Sequence, residues 1–521
     1  MNKSFFRSTI IFLTLLSGSY VSAQSMIEYA SMFSSRSLGG TARFQGFAGA
    51  GTALGADLSM GSINPAGLGA FRNSELGGSL GIGFAGSRSS YFGENNRDNR
   101  GYMYFPNFGI AFCGAKDDIE PGAFRGGTFA ITYNRINDFQ NQVFYSGINK
   151  ENYINQYFTN LLQTSGYHPD DLEADDITTH TLFSLEELIY HSLLVEPDYD
   201  YAPHFYNPVD SILYNDAFLY YVLPEEAYQE QLITTRGAQN QFDLAYGANF
   251  SDKYYLGASV GIVSLRHHLE RDFYEKLDQS QSVQETTLSE MIKTTGTGFN
   301  FKVGFIARPV EALRLGLTLQ TPTAYYLKQN YSYTIKAIFN PDYRLPLSGF
   351  DPDVLEESTV PLDYSFRLTT PAILRGGMAV FLGKRGFVSA DLEYLPYQML
   401  KLSDKNNRTY YSQDNRYIMN NYKGAFNYRL GAEIRNDIFR YRAGFALFSN
   451  PLNNLDKDHT SSKVFTLGFG LKWPTFYLDM ALNHSRSGGI NSPYPNPAGP
   501  NPIADISHRN TSFIMSIGSH F

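Results

Sequence analysis

The feature that most narrows what this chain can fold into is a strict two-residue alternation that recurs in segment after segment. Leu313, Leu315, Leu317 and Leu319 alternate with Arg314, Gly316, Thr318 and Gln320. Phe465, Leu467, Phe469, Leu471 and Trp473 alternate with Thr466, Gly468, Gly470 and Lys472. Val388, Ala390, Leu392 and Tyr394 alternate with Ser389, Asp391 and Glu393. Successive side chains of a strand point to opposite faces. Each segment therefore has one apolar face and one polar or glycine face. A soluble sandwich alternates too, but its strands average about six residues. Many of these segments are longer, and tyrosines sit near their ends, as in Tyr254-Tyr255, Tyr325-Tyr326 and Tyr394 with Tyr397. The pattern predicts the inverted arrangement, with apolar side chains turned outward to lipid between two aromatic girdles.

Composition agrees with this. Charged residues are only 18% of the 521, against about 25% in typical soluble domains. No apolar run reaches the ~20 residues of a membrane helix. An apolar fraction of 43% argues against a disordered chain. The net charge of -8 removes the basic surface that nucleic-acid binding needs. The single cysteine, Cys113, excludes an intramolecular disulfide and a cysteine zinc cluster, and reads as a small buried or lipid-facing residue. The chain has no Gly-x-Ser-x-Gly elbow, zincin motif or assignable triad, so no enzyme, cofactor or metal is expected.

Fourteen alternating segments are predicted: 75–92, 101–113, 125–143, 236–250, 254–272, 288–308, 313–339, 363–383, 386–403, 417–437, 439–450, 461–474, 476–486 and 508–521. Short connections (251–253, 309–312, 384–385, 474–475) alternate with long ones (144–235, 340–362, 404–416, 451–460, 487–507). An even strand number with short periplasmic turns and long outer loops is the pattern of a Gram-negative outer-membrane barrel. The predicted fold is all-β, a 14-stranded antiparallel transmembrane β-barrel over 75–521. The last segment ends in Phe521 and looks like the recognition end read by the outer-membrane assembly machinery.

The first 23 residues read as a signal peptide. Lys3 and Arg7 precede an apolar core, Ile10 to Leu16, and a small-residue cleavage site at Val21-Ser22-Ala23. Residues 24–74 lack alternation and are rich in glycine, which suits either a loose periplasmic tail or a plug inserted in the lumen. Residues 144–235 form a large extracellular insertion, acidic and tyrosine-rich, with helix-like pieces near 150–163 and 184–194. Its cluster Asp170, Asp171, Glu173, Asp175 and Asp176 matches no calcium-loop template and reads as a solvated loop. His267 and His268 fall on opposite strand faces, which argues against a shared metal.

Ser62-Ile63-Asn64-Pro65-Ala66-Gly67, after a glycine-rich stretch with Asp57, resembles the hatch segment of the FadL/TodX outer-membrane transporters of hydrophobic compounds. Three later stretches are similar to that family in order and spacing: 298–323, 368–394 and 428–451. The resemblance implies a hatch over 24–74, gated around Asn64, Pro65 and Ala66, and hydrophobic small molecules as ligands. It also implies exit sideways into outer-membrane lipid through a break in the third strand. That break falls near Asn134, Asn137 and Asp138, where alternation is lost.

Lumen-facing charges are predicted at Lys302, Arg314, Asp391, Glu393, Arg429, Glu433, Arg435, Arg442 and Asp479. They suit a paired, hydrated network inside the wall, since buried charges need partners. Alternatively Arg314, Arg429 or Arg442 meets a ligand carboxylate, for which a guanidinium has bidentate geometry. Passive uptake of hydrophobic small molecules, such as long-chain fatty acids or aromatic hydrocarbons, is the first functional expectation. A scaffold for protein secretion or surface-protein handling, with a protein partner at 144–235, is the second, and an open porin the third. A transporter requires a continuous apolar pocket above the plug; a scaffold does not.

Overall fold

The computed structural model describes residues 20–116, 122–169, 172, 181–198, 204–206, 211–214, 218–221, 225–278, 281–341, 353–405, 407, 409–453, 461–496 and 499–521. Fourteen antiparallel staves make the wall. They are β1 (Glu75–Tyr91), β2 (Glu94–Tyr104 and Asn107–Ala115), β3 (Phe124–Asp138 and Asn141–Asn149), β4 (Ala227–Phe250) and β5 (Tyr254–Lys276). Next come β6 (Val283–Val310), β7 (Leu313–Gln320 and Ala324–Phe339), β8 (Leu362–Thr369 and Ile373–Phe381), β9 (Gly386–Pro396 and Lys401–Ser403) and β10 (Gly424–Asn436). The last four are β11 (Phe439–Phe448), β12 (Ser462–Lys472), β13 (Phe476–Asn491) and β14 (Ala504–His520). β14 returns to β1 in register from Glu75↔His520 to Ser90↔Asp505, so the sheet closes. Closure removes the unpaired edges that lipid cannot solvate.

Alternation sets the two faces. On β5, Leu256, Val260 and Ile262 are exposed outward, and above them the outward side chains turn polar at Arg266, Glu270 and Asp272. The apolar belt of this stave therefore ends near Ser264, and the stave continues well beyond it. Period two also splits each predicted tyrosine pair. Tyr254 and Tyr326 face out, whereas Tyr255 and Tyr325 are buried inside.

Element bounds differ from the sequence expectation where a local feature interrupts the alternation. β2 breaks at Phe105-Pro106, because proline offers no N–H to the ladder. Residues 412–421, the start of which was expected to be loop and the end strand, form a helix, α4 (Ser412–Asn421), and β10 starts only at Gly424. The 144–235 insertion is shorter than expected, since β3 runs up to Asn149 and β4 starts at Ala227. Its helices α2 (Ile154–Ser165) and α3 (Leu185–His191) lie close to the predicted pieces, and Ser184 with Glu187 forms a capping box for α3. The acidic cluster Asp170, Asp171, Glu173, Asp175 and Asp176 lies outside the described residues, as does most of the predicted signal peptide.

The α2–α3 cap packs Ile154, Phe158, Leu162, Leu188 and Ile189 against Phe273, Val283, Ile335 and Phe339 of the long staves. A buried polar hub beside it ties separate segments together. Gln229 Nε2 donates to Glu275 Oε2 (2.5 Å) and the Tyr494 hydroxyl (2.6 Å), while Gln229 Oε1 accepts from the Tyr91 hydroxyl (2.5 Å). Ile154 N, at the start of α2, donates to both Glu275 oxygens at 3.1 Å.

From residue 36 to 71 the chain lies inside the barrel and touches the inner wall all round. Ala42 N donates to Ser516 Oγ (2.7 Å), Thr466 Oγ1 donates to Gly46 O (3.0 Å), and Thr52 N and Oγ1 both donate to Asp391 Oδ2 (2.9 and 2.7 Å). The wall makes room with glycine. Gly247, Gly257 and Gly304 form one rung across β4, β5 and β6. A side chain at any of the three would overlap the Asn64–Leu68 stretch. Gly431 and Gly444, paired across β10 and β11, receive the Phe47 and Ala48 backbone in the same way.

Two predictions follow from this packing. Gly304→Val should destabilise the folded barrel by about 1–3 kcal/mol, the usual cost of overpacking, and expose residues 36–71 to protease. Gly376→Val, where nothing lies within 4 Å of an added Cβ, should do neither; thermal unfolding and limited proteolysis read the difference. Burial pushes the Glu275 carboxyl up to about 8. A raised pKa stabilises cap docking fully below about pH 4.5, the unfolded value, and that stabilisation is lost as pH rises through about 8. Amide exchange across α2, corrected for intrinsic rates, should quicken between pH 5 and 9 in the native chain and stay level in Glu275→Gln.

Candidate functional site

The barrel's upper lumen, above the inserted segment, is lined by apolar side chains that point inward. Val263, Leu265, Leu269, Ile292, Leu327, Phe366, Leu368 and Leu395 belong to one continuous buried cluster, which Ile418 of α4 joins. A wet lumen would not need this lining; an apolar one removes it from water. The chamber is filled by the chain itself. Helix α1 (Tyr20–Ser34) inserts Ile27, Tyr29, Ala30 and Phe33 into it.

Three rings close around Phe33. Its centroid lies 5.7 Å from Phe139 and 5.4 Å from His267, both edge-on, and 6.1 Å from Tyr29. Phe139 and His267 are themselves 5.3 Å apart. His267 is 2% exposed, and neither ring nitrogen has a hydrogen-bond partner. It sits on β5 above Ser264, outside the lipid belt. Burial, with lesser repulsion from His268 and Arg271, pulls its pKa down to about 4, so the ring is neutral. Gln239 Nε2 donates to Phe33 O (2.7 Å) and the Tyr325 hydroxyl (3.1 Å).

Below the chamber, Asn64, Pro65 and Ala66 form a rigid turn. Asn64 Oδ1 accepts from Ala66 N (3.2 Å), capping the short helix Pro65–Ala70, while Asn64 Nδ2 donates to Thr52 O (2.7 Å). The turn therefore locks two parts of the segment to each other and sits on the glycine rung.

Arg314, Arg429 and Arg442 are not brought together. Arg429 donates to Glu393 Oε1 (3.0 Å), and Arg375 also reaches Glu393. Arg442 binds Glu433 Oε2 (2.7 Å) and Asp479 Oδ1 (2.5 Å). Arg314 lies beneath the segment and donates to Leu54 O (2.7 Å). Lys302 pairs with Asp243 at 2.7 Å, both fully buried. Most of the predicted inward charges thus form the paired network, which also holds the segment through Asp391.

Asn134, Asn137 and Asp138 lie at an irregularity of the wall. The β3–β4 ladder skips Ile136, with a register shift between Gln239 and Asn240. Asn107 Nδ2 donates to Asn134 Oδ1 (2.6 Å) at the top of the regular β2–β3 ladder. Above that rung, among the described residues, Glu94–Tyr104 has a ladder only with β1, and Asn141–Asn149 only with β4. Side chains bridge the interval, as in Gln142 Nε2 to Asp98 Oδ2 (2.9 Å), and Ser89 Oγ of β1 donates to Phe144 O (2.6 Å). Asn137 Nδ2 donates to Met32 O and Ser35 O, each at 3.2 Å, and Ser37 N donates to Ile136 O (3.1 Å). The end of α1 is thereby bonded to the bulge.

No protein-family model and no curated protein matches the sequence. Solved structures do. The P. putida toluene transporter TodX aligns with a TM-score of 0.51 at 13% identity, over 93% of this chain and 99% of that one. A Pseudomonas aeruginosa FadL homologue aligns equally, with a TM-score of 0.51 at 13% identity over the same shares of each chain. The fold is that of the FadL/TodX barrels.

Within a FadL/TodX-type barrel, Asn64 lies in a turn of the inserted segment, and Asn134 to Asp138 lie at a register shift of the wall. Sequence reasoning misses the chamber's occupant. The run Met26-Ile27-Glu28-Tyr29-Ala30-Ser31-Met32-Phe33 has buried residues at helical spacing, a short signal beside the glycine-rich stretch that follows it. His267, weighed only as a metal ligand, is instead the polar member of an aromatic cage.

The cage gives a pH prediction. A folded-state pKa of about 4 against 6.5 means that His267 supports the docked α1 fully above about pH 6.5 and less as pH falls through 4. Methyl resonances of Met26 and Met32, both half-buried, should broaden or shift on acidification, and His267→Phe should abolish the change.

Proposed function

We propose that the protein is an outer-membrane channel for passive uptake of hydrophobic small molecules, with residues 36–71 as its hatch. The observation that carries this reading is the apolar chamber above the segment, which a scaffold has no need to build. An apolar ligand entering from outside gains by exchanging water for Leu265, Leu327, Phe366 and Leu395. To enter, it must displace Tyr29 and Phe33, and that displacement pulls on Asn137 and Ile136 at the wall bulge. Exit through the interval between Glu94–Tyr104 and Asn141–Asn149 would deliver it to lipid beside Met103 and Phe105, which are 67% and 66% exposed outward. The fold shared with the P. putida toluene transporter TodX supports the same direction.

Native mass spectrometry of the purified barrel, exposed in turn to palmitate and to toluene, tests the reading. A stoichiometric apolar adduct is expected, weakened about tenfold or more by Leu265→Asp, which places an unpaired carboxylate in the chamber. Asn64→Ala should leave the adduct and slow its transfer into vesicles. An empty lumen with a specific co-purifying protein would instead favour a scaffold, with the 144–235 insertion as the docking surface.

A further inference from the structure

Beneath the segment, at the short-turn end of the barrel, lies a separate cavity of about 370 Å³. Short turns face the periplasm in outer-membrane barrels, so this vestibule opens on the side opposite to the apolar chamber. Eight arginine and lysine side chains line it against five aspartates and glutamates. The acids are already engaged. Arg43 is 3.4 Å from Asp57, Arg72 is 2.6 Å from Asp252, and Arg442 is 2.7 Å from Glu433 and 2.5 Å from Asp479. Glu75 accepts from the Tyr477 hydroxyl (2.9 Å). Among the described residues, Arg308, Arg314, Arg440 and Lys472 have no carboxylate within ion-pair distance, so the positive excess is carried by these four.

The cavity also has an aromatic floor. The Arg314 guanidinium lies 4.8 Å from the Phe381 ring, Phe381 is 5.8 Å from Phe387, and Arg435 stands 5.7 Å over Phe387. Arg314 donates to Leu54 O through one terminal nitrogen, and its buried Nε has no acceptor. Phe387 is buried, at 1% exposure, and supports the half-buried Phe381 from behind. An apolar ring edge beside Arg314 and unpaired cations matches a flat apolar body that carries an oxyanion. Guanidinium groups bind carboxylates and phosphates in bidentate geometry and stack on π faces.

We infer that this vestibule is a binding site for a small organic anion, an aromatic or otherwise apolar body bearing a carboxylate or phosphate, presented from the periplasmic side. Arg314 and Arg308 receive the oxyanion, and the half-buried Phe381 ring, backed by the buried Phe387, receives the body. The site is distinct from the chamber and does not depend on hatch movement, so it stands or falls apart from the uptake reading.

Isothermal titration of the full-length purified barrel with 2-naphthoate tests it, with 2-naphthol as the neutral twin and inorganic phosphate as the bare anion. Saturable one-to-one binding of 2-naphthoate is expected, weakened at least tenfold by 0.5 M salt and by Arg314→Gln. Because Arg314 also holds Leu54, Arg308→Gln serves as the second variant, and it should weaken binding severalfold with the thermal transition unchanged. 2-Naphthyl phosphate should compete, which covers the other oxyanion. Equal affinity for 2-naphthol, equal affinity for inorganic phosphate, unchanged binding in both variants, or no binding of 2-naphthoate at all would each overturn the assignment.

Discussion

The structure depends on backbone meeting backbone inside the barrel. Residues 36–71 can occupy the lumen only because the inner wall omits side chains where they touch it. At the Gly247–Gly257–Gly304 rung the Asn64 turn rests on the wall itself, and the same holds where Phe47 meets Gly431 and Gly444. Once the segment is seated, polar partners follow. Asp391 receives Thr52, Ser516 receives Ala42 N, and Thr466 reaches Gly46 O. The seated segment divides the lumen into a dry chamber above and a charged vestibule below.

This division orders the electrostatics. Charges at the level of the segment are paired across strands, as in Lys302 with Asp243 and Arg375 and Arg429 with Glu393. Such pairs offset the cost of taking ions out of water only when geometry is good and the remaining donors are filled. Above, the chamber contains His267 held neutral; below, cations exceed acids. A single wall therefore presents three environments along its axis, although its outer face is uniformly apolar at lipid depth.

Much of the architecture was legible in the sequence because period two is a local signal. It gave the fourteen staves, and the loss of period at Asn134–Asp138 gave the bulge. It misled where a residue type outweighed its phase. Tyr255 and Tyr325 read as girdle tyrosines, yet their phase places them inside. Arg314, Arg429 and Arg442 read alike in their strands, yet one lies under the segment and two are consumed by carboxylates, a distinction that only three-dimensional partners make. The glycines on alternating strands carried the most unread information. Those at Gly247, Gly257, Gly304, Gly431 and Gly444 record places where another part of the chain comes close, but not which part.

The one-sided ladders of Glu94–Tyr104 and Asn141–Asn149 bear on how the wall deforms. A stave held by hydrogen bonds on both flanks, as β5 is between β4 and β6, bends only by stretching two rows at once. β1 and β14 alone share sixteen paired positions. Glu94–Tyr104 and Asn141–Asn149 are the longest one-sided stretches among the described residues, so the wall bends there at least cost. That sector is also where Ser37 and Asn137 bond the interior to the wall. The barrel is a hoop whose longest soft seam lies here, and the inserted segment is fastened to that seam.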